Sequence, residues 1–247
     1  MSVSPVPQLD VLMNYEYPVK LDGASAAAHV IRMVNQGSKV LDIGAGAGSI
    51  TRHLAGVKQC KVTAVEINPD SVAKLCAYCA SVYPLDLNDK NWTQELQREG
   101  LFDVVLAADV LEHLYDPWTT LRQMKSLLKP EGSIILSLPH AGHCAVLASL
   151  MDGDFAYGEW GLLDKTHIRF FGIKNIQAMH DSTGLEILEA KFVLRPPENM
   201  EMAQKWAQVS PELKAHLRAA PHADVYQVVT RAARSGKGLR LMDAPVG

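Results

Sequence analysis

A chain of 247 residues, 48% of them apolar, can bury a sizeable core as one large domain or two small ones. Its 24 basic and 27 acidic residues leave a formal charge of -3, which gives no electrostatic footprint for a phosphate backbone or an anionic membrane, so neither nucleic acid nor membrane is an expected partner. No run approaches roughly 18 unbroken apolar residues, and the start, MSVSPVPQLD, lacks the basic-then-apolar pattern of a secretory leader. A cytoplasmic protein is expected.

Tyr15-Glu16-Tyr17-Pro18 is an aromatic stretch able to fold over a ligand, and Gly23 to Asn35 reads as an Ala-rich helix, so residues 1–36 are expected to form a helical lid segment. From Lys39 short apolar runs alternate with amphipathic stretches, the pattern of βαβ units and a mostly parallel sheet. Strands are predicted at Lys39 to Ile43, Lys61 to Glu66, Ser81 to Pro84, Phe102 to Ala108 and Gly132 to Leu138. Pro69-Asp70-Ser71 and Asp116-Pro117 open the helices between them, and Gly132 is expected to close the second into a turn. Leu185 to Leu194 and Ala223 to Ala232 read as two further strands separated by a polar, helix-prone segment, Pro197 to Ala220. The catalytic domain is thus expected over residues 37–233, with 140–182 and 197–220 as substrate-side insertions and a mobile tail, with little to bury, over 234–247.

Four cysteines, Cys60, Cys76, Cys79 and Cys144, are too few for a disulfide framework in a chain this long. Cys76-Ala-Tyr-Cys79 has redox-motif spacing but no second cysteine pair, and it reads as two ordinary reduced thiols.

The first strand leads into Val40-Leu41-Asp42-Ile43-Gly44-Ala45-Gly46-Ala47-Gly48-Ser49, an apolar run ending in an acid and turning through three glycines into a helix. Glycine there lets backbone approach a ligand closely and permits positive φ. A nicotinamide fingerprint would need its third glycine where Ser49 stands, which argues against a dehydrogenase. The second strand ends in Glu66-Ile67, where the acid can accept hydrogen bonds from both hydroxyls of a ribose and Ile67 can lie against an adenine. Asp86 follows the third strand and Asp109 the fourth, so four successive strands each deliver an acid to one edge. Such an edge suits a cation carrying an amine and a sulfonium and repels a phosphate.

In combination these residues, from about Lys39 to Leu138, resemble the class I methyltransferases that use S-adenosylmethionine. The resemblance implies a Rossmann-like α/β three-layer sandwich with a seven-stranded, mostly parallel sheet whose last strand is antiparallel. It further implies S-adenosylmethionine as cofactor, with Asp42, Gly44, Ala45 and Gly46 around the methionine part, Glu66 on the ribose, Asp86 and Leu87 at the adenine, and Asp109 with Val110 beside the amino acid moiety.

Methyl transfer is an in-line displacement on an activated sulfonium, so alignment supplies much of the acceleration and a base is needed only where the acceptor must lose a proton. His113, His140 and His143 follow the fourth and fifth strands, where an acceptor would sit, and His143 is the first choice as base, with His113 and Asp109 as further catalytic candidates. Leu163-Asp164-Lys165-Thr166-His167-Ile168-Arg169-Phe170-Phe171 is similar to an L-D-x-T-H-x-R-F-F signature of one branch of these enzymes, including members linked to glycan and natural-product pathways. There His167 and Arg169 read as a polar clamp on the loop. Tyr15, Tyr17, Tyr157 and Trp160, with His140 and His167, are candidates for contacting a small-molecule acceptor or the sulfonium.

The resemblance further places Ala-Asp-Val-Leu where a nucleic-acid amino-methyltransferase carries an N/D-P-P-Y motif, and a single glutamate, Glu112, where protein-arginine enzymes carry a pair. A catechol-type set of clustered acids and Asn is not evident, so no metal is expected. The reading is methyl transfer to an N or O atom of a small molecule in specialised metabolism by a monomer or homodimer. The alternatives are a glycan- or lipid-linked acceptor and a non-catalytic protein that only binds the nucleoside.

Overall fold

The computed structural model describes residues 16–246. Seven strands form one sheet: β1 (Lys39–Ile43), β2 (Lys61–Val65), β3 (Ser81–Tyr83), β4 (Phe102–Ala108), β5 (Leu128–Pro139), β6 (Glu186–Leu194) and β7 (Val225–Ala233), in the order β3-β2-β1-β4-β5-β7-β6. β1 to β5 pair in parallel, and β7 runs antiparallel between β5 and β6, as the resemblance implies. The order reverses at β1, which places a crevice between the carboxyl ends of β1 and β4.

The helices start where the sequence supplies caps. Ser25 Oγ accepts the Ala28 N–H ahead of α1 (Ala26–Met33); Asn68 Oδ1 accepts those of Asp70 and Ser71 ahead of α3 (Pro69–Leu75); Asp116 Oδ1 accepts that of Thr119 ahead of α4 (Pro117–Ser126). α2 (Thr51–Gly56) follows the glycine turn, and α6 (Ile173–Ser182) precedes β6. One face of the sheet packs Leu41, Ile43, Val105, Ile134 and Leu136 under α4 and α6; the other packs Val40, Val62, Val104 and Ile135 under α1. Three further helices, α5 (Cys144–Met151), α7 (Ala203–Gln208) and α8 (Pro211–Arg218), close a separate apolar cluster on Cys144, Leu162, Trp206, Leu217 and Tyr226. Among the described residues no helix is long and apolar enough to cross a membrane.

Two expectations are corrected. Gly132 does not close a helix: α4 ends at Ser126, and β5 runs unbroken from Leu128 past a register shift opposite Phe102 and Val104. A Cβ on Gly132 would stand 2.7 Å from Leu128 Cδ1 and 2.9 Å from Asp103 O, so the glycine allows close strand approach at the bulge. The tail, read as having little to bury, docks on α6 and β6. Leu241 is fully buried and its N–H donates to Gln177 Oε1, Leu239 N–H donates to Ile187 O, and Arg240 pairs with Asp181 at 2.7 Å. Leu241, with Leu239 packed on the same core, anchors the tail.

Candidate active site

The glycine turn is held open from three sides. Gly44 (φ 65°), Gly46 (φ 55°) and Gly48 (φ 86°) all take the left-handed conformation. A Cβ on Gly44 would stand 2.6 Å from Val110 Cγ2, so the turn lies directly against the segment after β4. Glu66 ties the turn to β2: its Oε2 accepts the Gly46 N–H at 2.7 Å and its Oε1 the Asn68 N–H at 2.8 Å. Ile67 remains exposed beside it.

Two acids line the floor. Asp42 is 3% exposed and accepts the Thr51 hydroxyl at 2.6 Å, and burial pushes its carboxyl up to about 7, with Glu66 adding to the rise. Asp109, at φ 57°, accepts bonds from Ser137 Oγ and Gln227 Nε2, both at 2.8 Å, and burial raises its carboxyl above the usual range. A non-glycine residue in that conformation, with two side-chain donors aimed at it, is strained backbone held in place by its surroundings. Burial leaves these carboxylates without a compensating charge, which a bound ammonium or sulfonium would supply, so the residues fit the cofactor that the resemblance implies.

Tyr17, a candidate for contacting the acceptor or the sulfonium, lies beside the glycine turn. Its N–H donates to Ser49 Oγ at 3.0 Å, its carbonyl accepts Arg52, and burial beside Asp109 and Asp42 raises its hydroxyl above the usual range. Glu16 braces the same strap, pairing with Lys74 at 2.6 Å and Arg52 at 3.7 Å. Tyr15 lies outside the described residues. Asp86 is exposed and its Oδ1 accepts the backbone and side-chain N–H groups of Asn88, a turn that leaves one carboxylate oxygen outward; Leu87 packs on the core.

The comparisons with known proteins agree with this geometry. A family model described as "Methyltransferase domain" matches residues 22–190. The chain belongs to that methyltransferase family. Ubiquinone biosynthesis O-methyltransferases of Xanthomonas campestris pv. campestris and Xanthomonas oryzae pv. oryzae are 36% identical over 124 residues, 49% of this chain and 48% of theirs. The chain therefore spans about half the length of the curated relatives it matches. Among solved structures, the 1,6-didemethyltoxoflavin-N1-methyltransferase of Burkholderia thailandensis superposes with a TM-score of 0.55 at 16% identity, over 86% of this chain and 80% of that one. The magnesium protoporphyrin IX methyltransferase of Synechocystis, solved with S-adenosylmethionine bound, gives 0.51 at 16% identity over 85% and 76%. The chain carries a methyltransferase domain, and the cleft around Gly44, Glu66 and Asp109 brings together residues that the resemblance assigns to S-adenosylmethionine.

On the acceptor side the methyltransferase departs from the reading of its histidines. His143, the expected base, caps α5: its Nδ1 accepts the Ala145 N–H at 3.1 Å and its Nε2–H donates to Arg195 O at 2.9 Å, leaving neither nitrogen for chemistry. The ring is buried and neutral, since burial lowers its pKa. His140 is also buried, its ring against Gly142 and its pKa lowered to about 4 by burial. His113 and His167 do come together, ring centroids 4.7 Å apart, beside Glu112, which sequence reasoning passed over. Glu112 is fully buried, neither of its carboxylate oxygens has a hydrogen-bond partner among the described residues, and burial with Asp109 and Asp164 nearby raises its carboxyl well above the usual range.

The L-D-x-T-H-x-R loop builds this cluster. Asp164 Oδ1 accepts the Thr166 N–H and hydroxyl, Thr166 O and Oγ1 face His113 Nδ1 at 3.3 and 3.1 Å, and Arg169 Nη2 donates to Tyr115 O. From His167 an edge-to-face chain of rings runs outward through Phe170 and Phe155 to Tyr157, which is 61% exposed; Trp160 stands nearby on the same loop, 58% exposed.

Proposed function

We propose that this methyltransferase transfers the methyl group to a hydroxyl oxygen of a small, flat acceptor of specialised metabolism that enters along the Tyr157–Phe155–Phe170 ring chain. The observation that carries the reading is that chain, an aromatic path from solvent to the Glu112–His113–His167 group, which begins three residues beyond Asp109. The O-methyltransferase names of the Xanthomonas relatives support oxygen as the attacking atom. Residues 140–182 and 197–220 act as the acceptor-side insertions, and residues 16–36 serve as the strap over the cofactor.

S-adenosylmethionine, when bound, supplies a methyl group on a sulfonium that leaves as a neutral thioether. Glu66 holds the ribose, Asp42 and Asp109 face the positively charged methionine end, and Tyr17 covers it and excludes water. His113 holds or receives the proton of the acceptor hydroxyl. Its pKa is lowered by burial first and by His167 second, so it stands neutral and able to accept.

The test is transfer of labelled methyl groups to matched panels of aromatic hydroxyls and aromatic amines, with a Tyr157→Ala, Trp160→Ala double variant. Hydroxyl acceptors should be methylated, and the variant should raise KM about tenfold or more with little change in kcat. Methylation of amines alone, or a variant indistinguishable from wild type, contradicts the reading.

A further inference from the structure

We propose that Glu112, His113 and His167 form a binding site for one first-row divalent transition-metal ion on the acceptor side of the cleft. Each of the three offers one ligand atom, and these atoms lie within 4.8 Å of one another. Three ligands about 2.0–2.2 Å from a shared ion stand roughly 3–4 Å apart, so closing around one needs side-chain movement on the order of an ångström.

Three observations point to a cation. The first is Glu112 itself, fully buried with both oxygens unpartnered, an arrangement that costs several kcal/mol unless something positive compensates it. The second is the tautomer of His167: Nδ1–H donates to Leu162 O at 3.2 Å, so Nε2 carries a lone pair, and it faces Glu112 Oε1 at 3.9 Å. A lone pair turned toward an unpartnered carboxylate repels it unless a proton or a metal cation lies between them, and the second lone pair, on His113, favours the metal. The third is His113, whose Nδ1 is oriented by Thr166 O and by Thr166 Oγ1; that hydroxyl already donates to Asp164, so Nδ1 is the donor and the lone pair is on Nε2. Histidines whose second nitrogen is fixed by a backbone carbonyl are the recurring support of metal ligands.

Two imidazoles and one carboxylate select a borderline ion such as Fe2+, Co2+ or Zn2+ over the oxygen-seeking Mg2+ and Ca2+, and leave coordination positions open. The ion's role, as distinct from its binding, rests on the hydroxyl-acceptor reading above. With the ion bound, His113 is a ligand rather than the proton acceptor of that reading; the ion would hold the acceptor oxygen and favour loss of its proton to water, and the oxygen–carbon bond forms as the carbon–sulfur bond breaks, the electron pair remaining on sulfur. The L-D-x-T-H signature thereby gains a purpose for each of its three named polar residues: Asp164 orients Thr166, Thr166 orients His113, and His167 is a ligand.

The experiment is titration of chelator-stripped full-length protein with Co2+, read by visible absorption, and with Zn2+, read calorimetrically. The wild type, Glu112→Gln, His167→Gln and Cys144→Ser are compared, and S-adenosylmethionine binding by each serves as the folding control. One equivalent per chain is expected, with nitrogen-ligand bands for Co2+, affinity lowered at least tenfold in the Glu112 and His167 variants, and no change in Cys144→Ser. Absence of binding at 100 µM metal in protein that still binds S-adenosylmethionine overturns the site, as does binding that E112Q and H167Q leave unaltered. Metal binding that holds while hydroxyl acceptors fail in the labelled-methyl assay leaves the site standing and removes only the acceptor reading.

Discussion

Asp42 shows most directly how one side chain links fold to ligand. Its folded pKa, pushed up to about 7 by burial, exceeds the ordinary carboxylate value of 3.8, so folding binds a proton there. Its contribution to the stability of the ligand-free protein is therefore full below 3.8 and is lost as pH rises through about 7. The buried histidines, with lowered pKa values, change stability in the opposite sense, so the readout is a difference. Asp42→Asn should melt higher than wild type above about pH 7 and show no advantage near pH 4, in thermal scans without ligand. The same variant should bind S-adenosylmethionine more weakly at high pH, where wild-type Asp42 is ionised.

His143 supplies the complementary case. Both of its nitrogens are committed, so His143→Ala should cost about 1–2 kcal/mol of stability, as helix caps do, with kcat within a few-fold of wild type. A drop in kcat of a hundredfold or more at unchanged melting temperature would return His143 to the role of base. Position in the sequence, just beyond β5, was all that recommended it. Which way its ring turns is decided by Arg195, 52 residues on, and no local pattern reports that.

At the scale of elements, caps and strand ends were legible because they are local. Asp116 and Pro117 announce α4, and the acids at the ends of β1, β2 and β4 are read directly from hydropathy followed by charge. What was not legible depends on distance along the chain. Gln227 reaches Asp109 across 118 residues, and Thr166 reaches His113 across 53. The bulge at Gly132 answers to Leu128 and Asp103, one of them on another strand, and so it looked like a helix stop. The tail illustrates the same point energetically: Leu239, Leu241 and Met242 form too short an apolar run to show a periodic pattern, yet Leu241 is fully buried. Leu241→Ala should destabilise the protein by about 2–4 kcal/mol in denaturant unfolding, while leaving cofactor affinity unchanged. A change below about 0.5 kcal/mol would show that the tail contributes nothing to the folded state.

For the molecule as a whole, the sheet order places the ends of β1, β2 and β4 side by side, and this converts three separated acids into one site. Because the order reverses at β1, the helices fall on opposite faces and leave the crevice between them. The central claim is that this crevice takes S-adenosylmethionine. Calorimetric titration of S-adenosylmethionine into wild type, Glu66→Gln and Glu66→Ala tests it most directly, with the melting temperature of each variant measured alongside. The account predicts micromolar binding by wild type and a loss of at least about tenfold, roughly 1.4 kcal/mol, in Glu66→Ala. No binding by folded wild-type protein, or equal affinity in all three, would contradict it.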